Sequence, residues 1–191
     1  MEPVLAVLID LWTRLGALRE YAVVVGGLVP YLLSRGAEEP HLGTRDVDIA
    51  IDARAMAPEA HAQLWALLQE GKYRHDRSFP WRFSKTVRTD EGNSVSVAVD
   101  FLQPRYGRTD ASGEPERADA VPAIRTPACE LALQDPVELP VTVGDPAAAN
   151  EICVAVSSPV GFLVMKGIAL GDPNRRNAER DAYDIYYYVK Y

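Results

Sequence analysis

The sequence has few of the residues that bind zinc. It contains two cysteines and three histidines in 191 residues, and Cys129 and Cys153 are too far apart for the C-x-x-C spacing of a zinc site. Both cysteines lie in mostly apolar neighbourhoods, which is typical of buried free thiols in a reducing compartment rather than of a disulfide. The sequence therefore excludes a zinc protein and favours two buried free thiols.

Long apolar runs are also missing. No stretch approaches the roughly 18 residues that a transmembrane helix needs, and no basic segment precedes the short apolar stretch near the N-terminus, as it would in a secretory signal. We therefore expect a cytoplasmic protein without a membrane partner. Apolar residues make up 48% of the sequence and charged residues 25%, which is ordinary for a globular domain with a substantial core.

The sequence also lacks an overall positive charge. The formal net charge is -7, which argues against a protein that binds nucleic acid over its whole surface. Residues 72–88, here called the basic segment, are an exception with six cations against the single acid Asp76. The cations are Lys72, Arg74, Arg77, Arg82, Lys85 and Arg88, and the aromatic residues between them are Tyr73, Phe79, Trp81 and Phe83.

The basic segment has two interpretations. Its cations can follow a phosphate backbone while exposed aromatic rings stack on the unpaired bases of an RNA end, at about 1–3 kcal/mol per stacked base. The alternative is a solvated hairpin whose aromatic rings pack inward. The burial of the rings distinguishes the two.

Hydrophobic periodicity predicts an α+β fold, in which a mixed β-sheet is flanked by helices and the C-terminal segment is helical. Helices are predicted at 4–19, 28–34, 58–71, 158–170 and from about 177 onward. Strands are predicted at 21–25, 46–52, 82–87 and 94–102, the last two as a hairpin with a turn at 89–93. Residues 103–120 are rich in proline, glycine and charge and have no periodicity, which predicts a lid loop.

Two glycines and three acids predict a site for metal ions and phosphate. Gly26 and Gly27 follow a strand directly, so that the backbone can approach a triphosphate with N–H groups at a helix start facing the anion. Asp46 and Asp48 lie two residues apart on a strand, so their carboxylates point the same way and can share magnesium ions. Asp100 lies on the polar face of a later strand and would supply a third ligand. Two metal ions about 3.5–4 Å apart would activate an attacking hydroxyl and stabilise a leaving pyrophosphate.

Each of these features has a simpler explanation when it is taken alone. A Gly-Gly pair after a strand is usually a turn, and an Asp-x-Asp on an amphipathic strand is usually a solvated face. Asp100 is harder to dismiss, because a carboxylate between the core residues Val99 and Phe101 needs a partner or a metal ion. The order of the three features favours the functional interpretation.

Five segments carry a resemblance to a known family. They are GG at 26–27, GTRDVDIAID at 43–52, VDFL at 99–102, MKGIAL at 165–170 and ERDAYDIY at 179–186. These segments resemble the nucleotidyltransferase fold shared with DNA polymerase beta and, more closely, the abortive-infection (AbiEii-type) nucleotidyltransferase toxins. The resemblance extends from about residue 21 to the end of the chain. It implies a core with the metal site, 1–105, and a part with the lid loop, short strands and C-terminal helices that complete the active site, 106–191.

The resemblance also implies roles for individual residues. The catalytic residues would be Asp46, Asp48, Asp100, Lys166 and Asp181, of which the first three would also be the metal ligands. Gly26, Gly27, Thr44 and Lys166 would bind the nucleotide. Lys166 would contact the triphosphate, Thr44 would lie close enough to touch a phosphate, and Asp184 would lie one helical turn beyond Asp181.

Two departures from the family pattern stand out. The segment between Gly27 and Asp46 is longer than in compact members, with residues 38–41 inserted, so the phosphate cradle differs. The chain also stops at Tyr191 within an apolar helical run. His41, which ends the insertion, and His75 are interpreted as ordinary surface residues.

The function implied by the resemblance is the transfer of a nucleoside monophosphate from a nucleoside triphosphate to an acceptor, with release of pyrophosphate. Two Mg²⁺ ions would be the cofactors, with Mn²⁺ as a substitute. The acceptor would be RNA, in particular the 3′ end of tRNA, and the protein would be the toxin of a toxin–antitoxin system with a cognate antitoxin protein as partner. The alternatives are an antibiotic-type enzyme that modifies a small molecule and a non-catalytic nucleotide-binding or partner-binding module.

Overall fold

The computed structural model describes residues 1–89, 91–105, 120–142, 151–175 and 177–191. The lid loop predicted at 103–120 falls, apart from its two ends, outside the described residues. Within the described residues, no helix is long and apolar enough to cross a membrane. Both cysteines are free thiols; Cys129 is buried as expected, whereas Cys153 is exposed, which corrects the prediction that both are buried.

The helices and strands follow the predicted order. The helices are α1 (Glu2–Leu15), α2 (Leu28–Leu33), α3 (Pro58–Glu70), α4 (Cys129–Leu133), α5 (Pro159–Leu170) and α6 (Ala178–Lys190). The strands are β1 (Ala22–Val25), β2 (Asp46–Ile51), β3 (Arg74–His75), β4 (Arg82–Arg88), β5 (Ser94–Pro104), β6 (Ile124–Thr126), β7 (Val137–Val141) and β8 (Ile152–Val156). The helix predicted at 4–19 ends earlier than expected, because Gly16 adopts a positive φ of 54° and begins a 3₁₀ helix, Gly16–Tyr21.

The strands form one mixed sheet. Their order is β3-β4-β5-β2-β1-β8-β7, and β6 pairs with the end of β5. The pairs β2–β5 and β1–β8 are parallel, whereas β1–β2, β4–β5 and β7–β8 are antiparallel. This mixed sheet with flanking helices and a C-terminal helix confirms the predicted fold class.

The core lies on one face of the central strands and under α1. Val47 and Ile49 of β2 are fully buried, and Leu8, Leu11 and Trp12 of α1 are buried with them in one cluster. Burying such side chains contributes about 1.5–3 kcal/mol each. Because side chains alternate along a strand, this packing turns the acids of β2 toward the opposite face.

The central strands place the predicted acids side by side. β2 and β5 are hydrogen-bonded neighbours, and Asp48 lies opposite Asp100 in their parallel register. The two acid-bearing strands are therefore adjacent, as a site shared by their carboxylates requires. On the other side of β2, Val25 at the end of β1 pairs with Asp48, so the Gly26–Gly27 turn begins beside the acids.

Candidate active site

A cavity of about 340 Å³ opens beside the ends of β1, β2 and β5. It is lined by residues from the sheet, from α5 and from α6. The predicted site residues that line it are Gly26, Gly27, Thr44, Asp46, Asp48, Asp100, Lys166 and Asp181. The fold thus brings together all the residues that the sequence nominated for catalysis, nucleotide binding and metal binding.

One wall of the cavity carries the three acids, and their negative charge is incompletely neutralised. The pKa of Asp48 is raised from the ordinary 3.8 to about 8. Burial is the largest cause, and the charges of Asp46 and Asp100 add to it. Lys166 and Arg82 lower the pKa but do not compensate. A carboxyl group so disfavoured as an anion is ready to accept a cation as a partner.

The Gly26–Gly27 turn fits tightly against this wall. Gly26 has a φ of 70°, in the left-handed region that favours glycine. A Cβ atom at Gly26 would lie 1.9 Å from Oδ2 of Asp48, and one at Gly27 would lie 3.1 Å from the side chain of Thr44. Gly26 is therefore needed for the approach of the Asp48 side chain, whereas a Cβ atom at Gly27 would require Thr44 to shift by a few tenths of an ångström. This close approach of side chains is a second reason for glycine at the turn, besides the approach of phosphate.

Two of the acids already have donors from the protein. The Thr44 hydroxyl donates a hydrogen bond to Oδ1 of Asp46. Arg82, which lies opposite Asp100 in the β4–β5 register, donates from Nε to Oδ1 at 2.7 Å and from a terminal nitrogen to Oδ2 at 2.6 Å. Arg82 had been assigned only to the basic segment, so its pairing with Asp100 is a site contact that the sequence argument missed.

The other charged part of the cavity lining, here called the opposite wall, carries cations from α5, from the segment before α6 and from the start of α6. Nζ of Lys166 lies 2.7 Å from Oδ1 of Asp181 and 2.7 Å from Oδ2 of Asp184. Arg175 also pairs with Asp181, at 2.5 Å between Nε and Oδ2. Arg180 lines the same cavity and donates to the carbonyl oxygen of Gly43 at 2.8 Å.

The charged side chains on this wall favour one another's ionised forms. Burial alone would lower the pKa of Lys166, but Asp184 and Asp181 outweigh it and raise the pKa. Burial would likewise raise the pKa of Asp181, but the Arg175 and Lys166 contacts outweigh it and lower the pKa. Ion pairing therefore favours the charged forms of both Lys166 and Asp181, and it holds the ammonium in place.

The residues of the acidic wall fit a hard divalent cation by chemistry, although they do not form a finished site. Among the described residues, no group of three or more His, Cys, Asp or Glu side chains is arranged to hold a metal ion. Carboxylate oxygens are nevertheless the ligands that Mg²⁺ prefers, and a cation would offset the burial and the neighbouring negative charges that raise the pKa of Asp48. Asp46 and Asp48 would hold the ion, whereas Asp100 has both oxygens bonded to Arg82.

The structure divides the basic segment into a packed part and an exposed part. Tyr73 and Phe83 are buried, and Lys85 donates to Asp10 at 3.1 Å and to the carbonyl of Gly71. Tyr73 and Phe83 therefore pack inward, as the alternative interpretation of the segment predicts, and Arg82 and Lys85 are paired with acids of the protein. Phe79 is 46% exposed, with its ring centroid 5.8 Å from that of Trp81. The exposed cations are Lys72, Arg74, Arg77 and Arg88.

His41 is the second residue that the sequence argument missed. Its interpretation as a surface residue is wrong, because only 7% of it is exposed. Nε2 of His41 lies 3.1 Å from Oδ1 of Asp184, which is itself buried beside Lys166. Burial would raise the pKa of Asp184, but the His41 hydrogen bond and the Lys166 charge outweigh it and lower the pKa.

The raised pKa of Asp48 predicts that removing its charge stabilises the metal-free protein at high pH. Between the unfolded value of 3.8 and the folded value of about 8, the folded state binds a proton that the unfolded state has lost, so the free energy of unfolding falls as the pH rises through this window. Asp48→Asn has no such proton to bind. We expect it to exceed the wild type by about 1–3 kcal/mol at pH 8, with the difference vanishing near pH 4.

Urea unfolding of both proteins with a chelator present, at several pH values from 4 to 9, measures this difference. A stability gap that stays constant across the range would contradict the assigned pKa. Asp52→Asn is a matched control, because Asp52 follows the same strand and its carboxylate accepts a hydrogen bond from the Ala55 amide outside the cavity.

Comparison with known proteins gives a family and a fold. The sequence model of a family described as "Nucleotidyltransferase" matches residues 3–190. No curated protein matches the sequence significantly. The crystal structure of an antigenic nucleotidyltransferase-like protein from Paracoccidioides brasiliensis has a TM-score of 0.56 and 18% sequence identity, over 98% of this chain and 76% of that one. At this identity the structural likeness establishes a shared fold alone.

Proposed function

Because the chain belongs to the nucleotidyltransferase family, we propose that it moves a nucleoside monophosphate from a nucleoside triphosphate to an acceptor hydroxyl. The observation that carries this proposal is the two-sided cavity. Its lining combines three carboxylates of the sheet, Asp46, Asp48 and Asp100, with the cations Lys166, Arg175 and Arg180 of the α5–α6 region. A triphosphate has the charge to occupy the space between them, with its anionic oxygens toward the cations and a metal ion toward the acids.

In the proposed reaction the acceptor oxygen attacks the α-phosphorus. A new P–O bond forms, the bond to the oxygen that bridges the α- and β-phosphates breaks, and pyrophosphate leaves with that electron pair. A divalent cation held by Asp46 and Asp48 would supply Lewis-acid stabilisation of the charge on the reacting phosphate. The acceptor hydroxyl would give up its proton to a carboxylate of the acidic wall.

The residues of the opposite wall would bind the leaving group. Lys166 offers a point charge to the β- or γ-phosphate, and its ion pairs with Asp181 and Asp184 fix the direction in which the ammonium points. Arg175 is 40% exposed at its side chain and can turn toward a phosphate while Lys166 retains Asp181. Charge that develops on the pyrophosphate would thereby be stabilised without rearrangement of the sheet.

We propose RNA as the acceptor class, on the strength of the exposed part of the basic segment. Phe79 and Trp81 form a partly exposed aromatic pair, and Arg82, whose guanidinium lies 5.4 Å from the Phe79 ring centroid, joins that pair to the acidic wall. An unpaired base at a strand end can stack on such rings beside the reacting centre. The motifs at 43–52 and 179–186 further favour a tRNA 3′ end as acceptor, and a toxin role with an antitoxin partner.

One experiment tests the transfer and identifies the acceptor class. The protein is incubated with Mg²⁺ and each α-³²P-labelled nucleoside triphosphate in turn, with total RNA, with aminoglycosides as small-molecule acceptors, or alone. Labelled RNA would support the proposal. Labelled aminoglycosides would instead support the alternative of an antibiotic-type enzyme that modifies small molecules. Absence of any labelled product, while the triphosphate still binds, would favour the non-catalytic module.

Neutralising the exposed cations of the basic segment should weaken RNA binding selectively. The variant Lys72→Asn/Arg74→Gln/Arg77→Gln uses asparagine at position 72 because the φ of Lys72 is 58°, which asparagine tolerates. We expect at least a roughly tenfold loss of affinity for single-stranded RNA at low salt, and a salt dependence of log K that is shallower by about 2. Filter binding across a salt series measures both.

Triphosphate affinity is the internal control for this variant, because none of the three cations lines the cavity. It should remain within about twofold of the wild type. Unchanged RNA affinity in the triple variant would return the whole basic segment to a structural role and would weigh against an RNA acceptor.

A further inference from the structure

A buried chain of contacts runs from the inserted segment to Lys166. The backbone N–H of Gly43 donates to Nδ1 of His41 at 3.0 Å, and Nε2 of His41 lies 3.1 Å from Oδ1 of Asp184. Oδ2 of the same carboxylate forms the 2.7 Å ion pair with Nζ of Lys166. The side chains of His41 and Asp184 are each 1% exposed, so water cannot replace these contacts.

The chain of contacts fixes the tautomer of His41. Nδ1 accepts a hydrogen bond from Gly43 and therefore carries no proton, so Nε2 carries the proton and donates it to Asp184. A neutral donor thus faces a buried carboxylate. The hydrogen bond from His41 compensates part of the charge of Asp184. Asp184 therefore attracts Lys166 less strongly than it would without this donor.

The inserted segment is itself docked on α6. Tyr187 donates from its hydroxyl to the carbonyl oxygen of Glu39 at 2.8 Å, and the hydroxyl of Tyr183 accepts from the amide of Leu42 at 3.1 Å. The ring of His41 packs between these two tyrosines, with centroid distances of 5.1 Å to Tyr183 and 4.8 Å to Tyr187. Residues 39–42 are therefore held in one defined position against α6.

We propose that His41 is a positioning residue, which sets the availability of Lys166 for the triphosphate by donating a hydrogen bond to Asp184. This inference rests on the proposed function, since it assigns His41 a task in triphosphate binding. Without the donor, the full charge of Asp184 acts on Lys166, and the ammonium is held more strongly by its two ion pairs and is less available to a phosphate. His41 acts only through Asp184 and does not line the cavity itself.

Two substitutions separate the two hydrogen bonds of His41. Asparagine can place its side-chain oxygen near the position of Nδ1 and keep the Gly43 contact, but it is too short to donate to Asp184. Glutamine can place its amide nitrogen near the position of Nε2 and keep the donor to Asp184, but it loses the Gly43 contact. Each variant loses one buried hydrogen bond, so a purely structural role predicts similar effects of both.

The experiment is calorimetric titration of the full chain with a non-hydrolysable nucleoside triphosphate and Mg²⁺. We expect His41→Asn to weaken binding about tenfold, a change equivalent to about 1.4 kcal/mol, and His41→Gln to stay within about threefold of the wild type. His61→Asn is the matched control, because His61 is also buried and bonded through Nε2, to the carbonyl of Ala53, but does not line the cavity. It should lower the Tm without changing the Kd.

A double variant guards against an effect of misfolding. Asp184→Asn in the His41→Asn background removes the charge that His41 compensates, so it should restore the triphosphate Kd to within about threefold of the wild type. Rescue of this kind would not follow from the loss of a merely structural contact. Equal weakening by both His41 substitutions, or failure of the double variant to bind more tightly than His41→Asn, would overturn the inference.

Lys166→Ala separates failure of this inference from failure of the proposed function. If Lys166→Ala weakens triphosphate binding and His41→Asn does not, His41 has no positioning role and the proposed function stands. If neither substitution changes the Kd, the assignment of Lys166 to the triphosphate is wrong, and the role of His41 fails with it.

Discussion

Asp46→Asn should lower nucleotidyl transfer by about 10³-fold and leave the protein folded. Asp46 lies on the polar face of β2, where its carboxylate accepts from Thr44 and lines the cavity. Asparagine keeps the shape and one acceptor oxygen, so the Thr44 hydrogen bond can persist. The negative charge is lost, and with it the attraction for the divalent cation on which the proposed transfer depends.

The measurement is the initial rate of transfer from labelled triphosphate, together with the Kd for Mn²⁺ and the Tm. Asp52→Asn is the matched control, because the same chemical change is made one residue beyond β2 and outside the cavity. The control should keep near-normal activity. Near-wild-type transfer by Asp46→Asn would rule out the metal-based mechanism, while the family and the fold would be unaffected.

Lys166→Ala should lower kcat/KM by about 10²-fold and weaken triphosphate binding about tenfold. Its ammonium is the most buried cation on the wall that faces the acids, with 12% of the side chain exposed. An interaction with phosphate at such a site is less screened than one in open water. Part of the lost interaction energy weakens the binding of the triphosphate. The rest lowers the rate of transfer, because that part of the interaction forms only as charge develops on the pyrophosphate.

The controls for Lys166 address charge and folding separately. Lys190→Ala removes an exposed lysine near the end of α6, away from the cavity, and should leave both constants unchanged. Lys166→Ala also leaves Asp181 and Asp184 with fewer partners, so we expect a lower Tm, and the assays should be done well below it. If the triphosphate binds Lys166→Ala as tightly as the wild type, Lys166 has no part in nucleotide binding.

Much of the acidic wall could be predicted because its pattern is local. The alternation of Val47 and Ile49 with Asp46 and Asp48 shows which face of β2 is buried, whatever the rest of the fold does. The Arg82–Asp100 pair also has a local signal, since the turn predicted at 89–93 sets the hairpin register that brings the two residues opposite each other. The register of a predicted hairpin can therefore identify the counter-ion of an acid such as Asp100, even when the order of the other strands in the sheet is unknown.

The opposite wall depends on tertiary structure and has no comparable signal. His41 and Asp184 are 143 residues apart in the sequence, and neither has a periodic pattern that marks it as the partner of the other. The polar composition of the inserted segment indicates a solvated loop, whereas Tyr183 and Tyr187 of α6 cover it. Lys166 and Asp181 were identified only through a family resemblance, because a helical lysine and an acid in a first helical turn are usually surface residues.

The pairing of Arg82 with Asp100 has a consequence for the order of folding. These residues are 18 positions apart and belong to one antiparallel hairpin, whereas the parallel β2–β5 contact closes a much longer loop. Short loops close at a lower entropic cost, so we expect the β4–β5 hairpin to form before β2 docks. When β2 arrives with its two carboxylates, Asp100 is already neutralised by the guanidinium. The central parallel pair can then assemble without three uncompensated anions meeting in the transition state, and before any metal ion is bound.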